Sequence, residues 1–250
     1  MNSTILPGAL HHRAADDRFH SRLDWLDSRH SFSFAGHDDP AWRGFGPLKV
    51  INDDRIAPGR GFGLHPHRDM EIVTVMVAGQ LEHRDSMGHG AVLHSDEVQR
   101  MSAGTGLMHS EHNPGPDPCR LLQIWIEPLQ QGLSPSYEQT RLPCGTGGGW
   151  TRLIDPQRRE GSMAIARGVQ IWRARPAAGH GLDLPLARPG LAWLQVIDGS
   201  LELTLSPLPG GDGAPLTVAL DPGDGLGFTA APGRLQATSD DVDLLLFDLG

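Results

Sequence analysis

The chain is poor in lysine, cysteine and aromatic residues, and each shortage narrows what it can be. Among 250 residues Lys49 is the single lysine, so the 21 basic residues are almost all arginine. No basic run gathers them, and 30 acidic residues bring the formal charge to −9. A phosphate backbone or an anionic membrane surface would be repelled overall, which argues against direct nucleic-acid binding. Two cysteines, Cys119 and Cys144, are too few for a disulfide framework. They read as isolated thiols of a reducing compartment, with pairing to each other as the alternative. No apolar run approaches the ~20 residues that span a bilayer. The first ten residues hold only the short apolar piece Ile5-Leu6-Pro7 with no charged lead-in, so no signal peptide is legible. The expectation is a soluble, cytoplasmic protein.

What the chain has in abundance is Gly (32) and Pro (20), about a fifth of all residues, against roughly 12% in average usage. Both residues punctuate helices more often than they sit inside them, which excludes a helix bundle or coiled coil. They suit many short strands joined by turns. Ser31-Phe32-Ser33-Phe34 alternates as a half-buried strand does. Apolar segments then recur at roughly ten-residue spacing through 126, predicting an antiparallel barrel or sandwich. Pro128, Gly132, Pro135, Pro143 and the run Cys144 to Gly149 read as a linker, after which the strand pattern resumes from 163 to 249.

The two halves repeat each other. With Gly79 set on Gly199, Val75–Glu82 lies over Gln195–Glu202; each is an apolar strand, a glycine turn and an exit through Leu-Glu. Met101–Gly106 falls on Phe228–Gly233, and Leu121–Trp125 resembles Asp243–Phe247. Three matches in one order point to a duplicated β domain. The expected organisation is an N-terminal barrel over 1–135, a linker over 136–150 and a C-terminal barrel over 151–250.

The chemistry lies in the first half. His65-Pro66-His67 opens a strand-like run, and residues i and i+2 of a strand share a face, so both imidazoles point the same way. His109-Ser110-Glu111 has the same spacing. Two such pairs on neighbouring strands bring three imidazoles and a carboxylate around one point. That donor set suits Fe, Mn, Ni, Cu or Zn, and two imidazoles with a carboxylate and open positions suit non-haem Fe(II) oxygen chemistry. No cysteine joins it, which argues against a closed structural zinc site. At the repeat registers His65, His67, His109 and Glu111 fall on Pro185, Ala187, Gln236 and Thr238. The second half therefore keeps the scaffold without the ligands.

These motifs resemble a known family. Gly59, five residues, His65-Pro66-His67, three residues and Glu71 resemble the first cupin motif; Gly106, two residues, His109, three residues and Asn113 resemble part of the second. Phe62–Glu71, Met101–Glu111, Trp25–Phe34 and His83-Arg84-Asp85-Ser86-Met87-Gly88 are similar to the pirin family of bicupins, densely over about 20–128 and only architecturally beyond 150. The chain departs from the general cupin pattern in having seven residues, not six, between Glu71 and Gly79. The resemblance implies an all-β fold of two tandem cupin barrels with few helices, the second degenerate and metal-free. It implies Fe(II) held by His65, His67, His109 and Glu111, with Mn, Ni, Cu or Zn as other candidates. Glu71 shares parity with His65 and His67, so it stays open as an alternative ligand or as a partner orienting an imidazole.

The function implied is a mononuclear dioxygenase of the quercetin 2,3-dioxygenase type. It would cleave the central ring of a flavonol-like substrate with O₂ and release carbon monoxide, with Glu111 (or Glu71) accepting the substrate hydroxyl proton. The rival reading is an iron-binding, redox-sensing interaction protein with a protein partner and no turnover; a third is a scaffold whose metal staples the barrel. Other residues read more plainly. His83, His89, His94 and His112 suit surface roles, Val73, Val75 and Val77 the barrel interior, Trp25, Trp125, Trp172 and Trp193 the core, and Cys119 inert burial.

Overall fold

Alternating apolar residues and frequent turn residues leave the chain little choice but short strands. In the computed structural model, which describes residues 10–142, 148–186, 188–207 and 213–250, the described residues form 21 strands and three single-turn 3-10 helices. No helix among them is long and apolar enough to cross a membrane.

The chain divides into two compact units. One comprises Arg18–Pro143 and Pro156–Arg167; the other comprises Met1–Asp17, Cys144–Asp155 and Gly168–Gly250, each as far as it is described. In the first, a seven-stranded sheet runs Ser136–Arg141, Glu97–Ser102, Glu71–Ala78, Cys119–Ile126, Leu48–Ile56, Leu26–His30, Phe19–Arg22. Its four-stranded sheet runs Gly61–His67, Leu107–His112, Gln80–Asp85, Gly90–His94. In the second unit the large sheet runs His11–Arg13, Gly225–Thr229, Leu191–Asp198, Asp243–Asp248, Gln170–Ala174, Thr151–Ile154. Its small sheet runs Gly181–Asp183, Gly233–Ala237, Leu201–Leu205, Leu216–Leu220. The central strands of each sheet follow the same order in both units, so the duplication read from short segments extends to the topology.

The glycine register is physical. Gly79 and Gly199 both adopt φ near +70° (+74° and +71°) at the same turn. A Cβ on Gly79 would lie 2.8 Å from the Cβ of Cys119, and one on Gly199 would lie 2.6 Å from the backbone nitrogen of Val242. Both the backbone conformation and the close approach exclude a side chain there.

Each large sheet takes its edge strand from an unexpected stretch of chain. Ser136–Arg141, expected as the start of a linker, pairs in register with Glu97–Ser102, Tyr137 opposite Met101. His11–Arg13, expected in the N-terminal barrel, pairs with Gly225–Thr229 in the other unit. Both strands are polar and short, so hydrophobic patterning does not reveal them; unpaired sheet edges explain why they are recruited. Cys144 and the glycine run beside it lie mostly outside the described residues, as does Ala187.

The interior of the N-terminal barrel is layered. One end is apolar, with Leu26, Ile56, Met76, Leu81, Leu93, Cys119 and Leu121. The other holds Ile72, Met101, Ala103 and Leu107, with Met70, Met87, Trp125 and Tyr137 against them. Between the two, the same strands contribute polar side chains: Ser28, Asp54, Thr74, His83, Gln99, Glu111 and Gln123, all buried. Ile72, Thr74 and Met76 are therefore the inward residues of their strand. The buried Val73 and Val75 alternate with them and face the opposite way, contrary to expectation. Among the described residues the C-terminal barrel has no such middle layer: Leu194, Val196, Leu201, Leu203, Leu205, Leu226, Leu235, Leu244 and Leu246 pack with Trp172 and Phe228 into one apolar core.

The polar layer has a cost at its centre. Burial pushes the Asp54 carboxyl up to about 7; the Ser28 hydroxyl, which donates to it, opposes the shift and neighbouring Asp53 adds to it. A carboxyl that keeps its proton to about 7 in the fold but only to ~3.9 when unfolded gives the native state the extra proton. Its stabilising contribution is complete below the unfolded value and is lost as pH rises through about 7.

Two outcomes are expected in urea unfolding. Gly79→Ala lowers stability by about 1–3 kcal/mol, and a change below ~0.5 kcal/mol would contradict the turn argument. In metal-free protein, Asp54→Asn flattens the fall in stability between about pH 4 and about pH 8; parallel profiles for variant and wild type would show that Asp54 ionises freely.

Candidate metal centre

Three neighbouring strands build the site. Leu107–His112 lies between Gly61–His67 and Gln80–Asp85 in the four-stranded sheet. Its registers set His109 opposite His65 and Leu107 opposite His67 on one side, and His109 opposite Asp85 and Glu111 opposite His83 on the other. His65 and His67, His83 and Asp85, and His109 and Glu111 are each spaced i, i+2, so strand alternation turns them to the same interior face. Between His109 and Glu111 the pairing with Gly61–His67 slips by one residue, a bulge that re-aims the imidazoles relative to the carboxylate.

The imidazoles of His65, His67 and His109 converge. Their ring centroids are 4.4–4.8 Å apart, and one nitrogen from each lies within 4.8 Å of the others. Each ring is prepared differently. The Nδ1–H of His65 donates to the Gly63 carbonyl at 2.7 Å, which leaves Nε2 free. His67 stands edge-on to Trp125, 4.9 Å between centroids, and Trp125 meets Phe34 edge-on at 5.3 Å. His109 is fully enclosed, and its Nε2 is buried with no hydrogen-bond partner among the described residues. Burial, reinforced by the adjacent His65, holds His67 down at about 4. Burial and the neighbouring imidazoles hold His109 lower still. Neutral rings keep their lone pairs, as metal ligation requires.

Glu111 is fully buried and lies beside this trio without joining its tight cluster. Its carboxylate falls within 4.8 Å of nitrogens of His109 and His83, a second group that could hold an ion. Oε2 accepts from Gln123 Nε2 at 2.8 Å and Oε1 from Gln99 Nε2 at 3.3 Å. Those amides are themselves oriented, Gln123 by the indole N–H of Trp125 at 3.2 Å and Gln99 by the hydroxyl of Tyr137 at 3.1 Å. Burial, with Asp54 adding to it, pushes the Glu111 carboxyl up to about 7.

Glu71 lies elsewhere. Asp69 takes φ +48°, in the left-handed region, so the parity counted from His67 does not survive the turn. The Glu71 carboxylate accepts from Ser102 Oγ at 2.6 Å and belongs to neither group of clustered donors. His83, expected at the surface, is buried against His109 and stacked on Tyr137. His89, His94 and His112 are exposed. Sequence reasoning thus misses His83, Asp85, Gln99, Gln123 and Tyr137. The one signal for them is the spacing of His83 and Asp85, which matches that of His109 and Glu111 on the next strand. An open cleft of about 590 Å³ lies against His67, lined also by Pro66, Arg68, Ser86, Gly106, Leu107 and Met108.

Topology also sharpens the comparison between the halves. Glu111 pairs with His83, four residues past Gly79; the residue four past Gly199 is Leu203, which pairs with Leu235. The structural counterpart of Glu111 is therefore Leu235 and not Thr238, because strand pairing overrides a register carried across loops of unequal length.

Comparison with known proteins agrees with this architecture. The Pirin family model matches residues 11–126 and that of the quercetinase C-terminal cupin domain matches residues 153–249. The chain is 37% identical over 238 residues to a quercetin 2,3-dioxygenase of Escherichia coli, covering 95% of this chain and 97% of the relative. The crystal structure of YhhW from Escherichia coli superposes with TM-score 0.87 at 38% identity, over 97% of this chain and 98% of that one. A bacterial pirin YhhW from Escherichia coli in complex with nickel(II) gives TM-score 0.86 at 37% identity, over 96% and 99%. Two tandem cupin barrels, both halves matched by family models and a relative of this identity along nearly the whole length lead to one conclusion: the chain belongs to the pirin family.

Proposed function

We propose that the protein is a mononuclear metal-dependent dioxygenase that opens the central ring of a flavonol such as quercetin. His65, His67, His109 and Glu111 hold the ion, and Fe(II) is its resident metal. The observation that carries the reading is the buried, unpartnered Nε2 of His109 beside two further imidazoles. A buried nitrogen with no partner costs about 1–3 kcal/mol, which coordination offsets. The nickel(II) complex of the similar YhhW supports a divalent ion in this fold, and the name of the Escherichia coli relative supports the flavonol.

When bound, the ion supplies Lewis acidity toward a substrate oxygen and the redox chemistry with O₂. The protein's own groups do the rest. Glu111 accepts the proton of the substrate hydroxyl, and the amides of Gln99 and Gln123 hold its oxygens in place. Trp125, edge-on to both His67 and Phe34, braces the His67 ring from behind. The cleft against His67 has the volume of a small-molecule site. We assign the protein to the cytoplasm, where reducing conditions keep Fe(II) and the buried thiol of Cys119 reduced.

Anaerobically purified protein is expected to carry one iron per chain and to consume O₂ when quercetin is added. Stoichiometric iron without uptake would overturn the enzymatic reading, and no metal after reconstitution would overturn the site. His109→Ala is expected to lose metal and uptake while its melting profile matches that of metal-free wild type. Glu111→Gln is expected to lower uptake by about 10²–10⁴-fold; full activity in that variant would remove Glu111 from the proton transfer.

A further inference from the structure

A second pair of side chains stands behind the imidazole trio and is used by none of the steps above. His83 and Asp85 are spaced i, i+2 on the strand beside His109, and both side chains are wholly buried. His83 Nδ1 lies 3.5 Å from His109 Nδ1, and His83 Nε2 lies 3.4 Å from Asp85 Oδ2. Asp85 is itself fixed. Its Oδ1 accepts the backbone N–H groups of Met87 and His89 at 2.9 and 3.0 Å, and its Oδ2 accepts His89 Nδ1–H at 2.9 Å. The Tyr137 ring stacks on His83 at 4.7 Å and on His89 at 5.1 Å, holding both imidazoles close to parallel with it.

We propose that Asp85 and His83 are positioning residues that lock His109 in the tautomer presenting Nε2 to the ion. This rests on the metal site proposed above. Donor and acceptor counting gives the direction of every link. Asp85 is an anchored carboxylate and only accepts, so His83 carries its proton on Nε2 and offers an unprotonated Nδ1. That Nδ1 can only accept, so the facing Nδ1 of His109 carries the proton. The His109 proton is then absent from Nε2, the atom left without a partner. A neutral imidazole has one proton to place, and this chain places it away from the ion. The arrangement extends the familiar carboxylate–histidine–metal motif by one imidazole.

The chain contains its own control. Counting from Gly199 as from Gly79, the positions of His83 and Asp85 are filled by Leu203 and Leu205, both in the apolar core of the C-terminal barrel. In that barrel the strand pairing sets Gly233 opposite Leu205 and Leu235 opposite Leu203, where the N-terminal barrel has His109 and Glu111. The pair is present where the imidazole trio is present and absent where it is absent. A merely packing role would be served as well by leucine, as the second barrel demonstrates.

The test uses the full-length chain and two readouts, neither of which is turnover. In ¹⁵N-labelled metal-free wild type, long-range ¹H–¹⁵N correlation is expected to show His109 protonated at Nδ1 and His83 at Nε2. Nickel(II) affinity, read by competition with a chelator, is expected to fall about 10–100-fold in His83→Leu. His83→Asn, whose Oδ1 takes the place of the imidazole Nδ1, is expected to recover to within about threefold of wild type, even if its melting temperature drops. A proton on His109 Nε2 in wild type overturns the proposal. So does wild-type affinity in His83→Leu, or an equal loss in the leucine and asparagine variants. If His83→Leu does not fold, the tautomer measurement and His83→Asn decide. Wild type that binds no nickel would sink the metal site itself, while the tautomers would still report on the relay.

Discussion

The enclosure of His109 is the constraint on which the rest of the N-terminal barrel depends. A wholly buried imidazole must have its proton placed and its second nitrogen satisfied, or the fold carries an uncompensated polar group. The surroundings answer both needs from different sides. His83 and Asp85 lie on the Nδ1 side, while one nitrogen from each of His65, His67 and His109 lies within 4.8 Å of the others. Burial keeps His67 and His109 neutral, so their lone pairs stay available to a metal ion. The same burial holds Glu111 near neutrality as an acid, and the amides of Gln99 and Gln123 keep it from turning away.

The two barrels show what that chemistry requires of a scaffold. The central strands of their sheets follow one order, and the same glycine turn recurs in each. Among the described residues, one fills its interior with a single apolar cluster. The other interrupts two apolar layers with a band of Ser, Asp, Thr, His, Gln and Glu. Buried polar groups are far less costly when they are hydrogen-bonded, and the band is made of such groups: Ser28 with Asp54, Thr74 with Gln99, Glu111 and Gln123, and His83 with His109 and Asp85. The raised proton affinities of Asp54 and Glu111 record what its burial costs.

Much of the site is legible in the order of residues alone. Strand alternation puts His65 with His67 and His109 with Glu111, and the repeat shows which half carries the imidazole cluster. Parity misplaces Glu71 because Asp69, in a left-handed conformation, resets the alternation between the two strands. Val73 and Val75 are misplaced for the same reason. A lone H-x-D in a polar stretch carries no sign of burial, so His83 reads as a surface residue. Ser136–Arg141 reads as linker because a short polar strand between proline and glycine has no hydrophobic pattern to betray it.

The sequence by itself determined the antiparallel β character, the duplication and the identity of the convergent imidazoles, because each follows from local periodicity and spacing; the tandem cupin architecture came from the resemblance to the pirin family. Tertiary structure alone decided which neighbours complete the site. His83 meets His109 across 26 positions of chain, and Tyr137 meets Gln99 across 38. The amides on Glu111 and the two recruited edge strands are likewise contacts between strands. Such contacts depend on the register between strands, which loop lengths and bulges set and which no local pattern encodes.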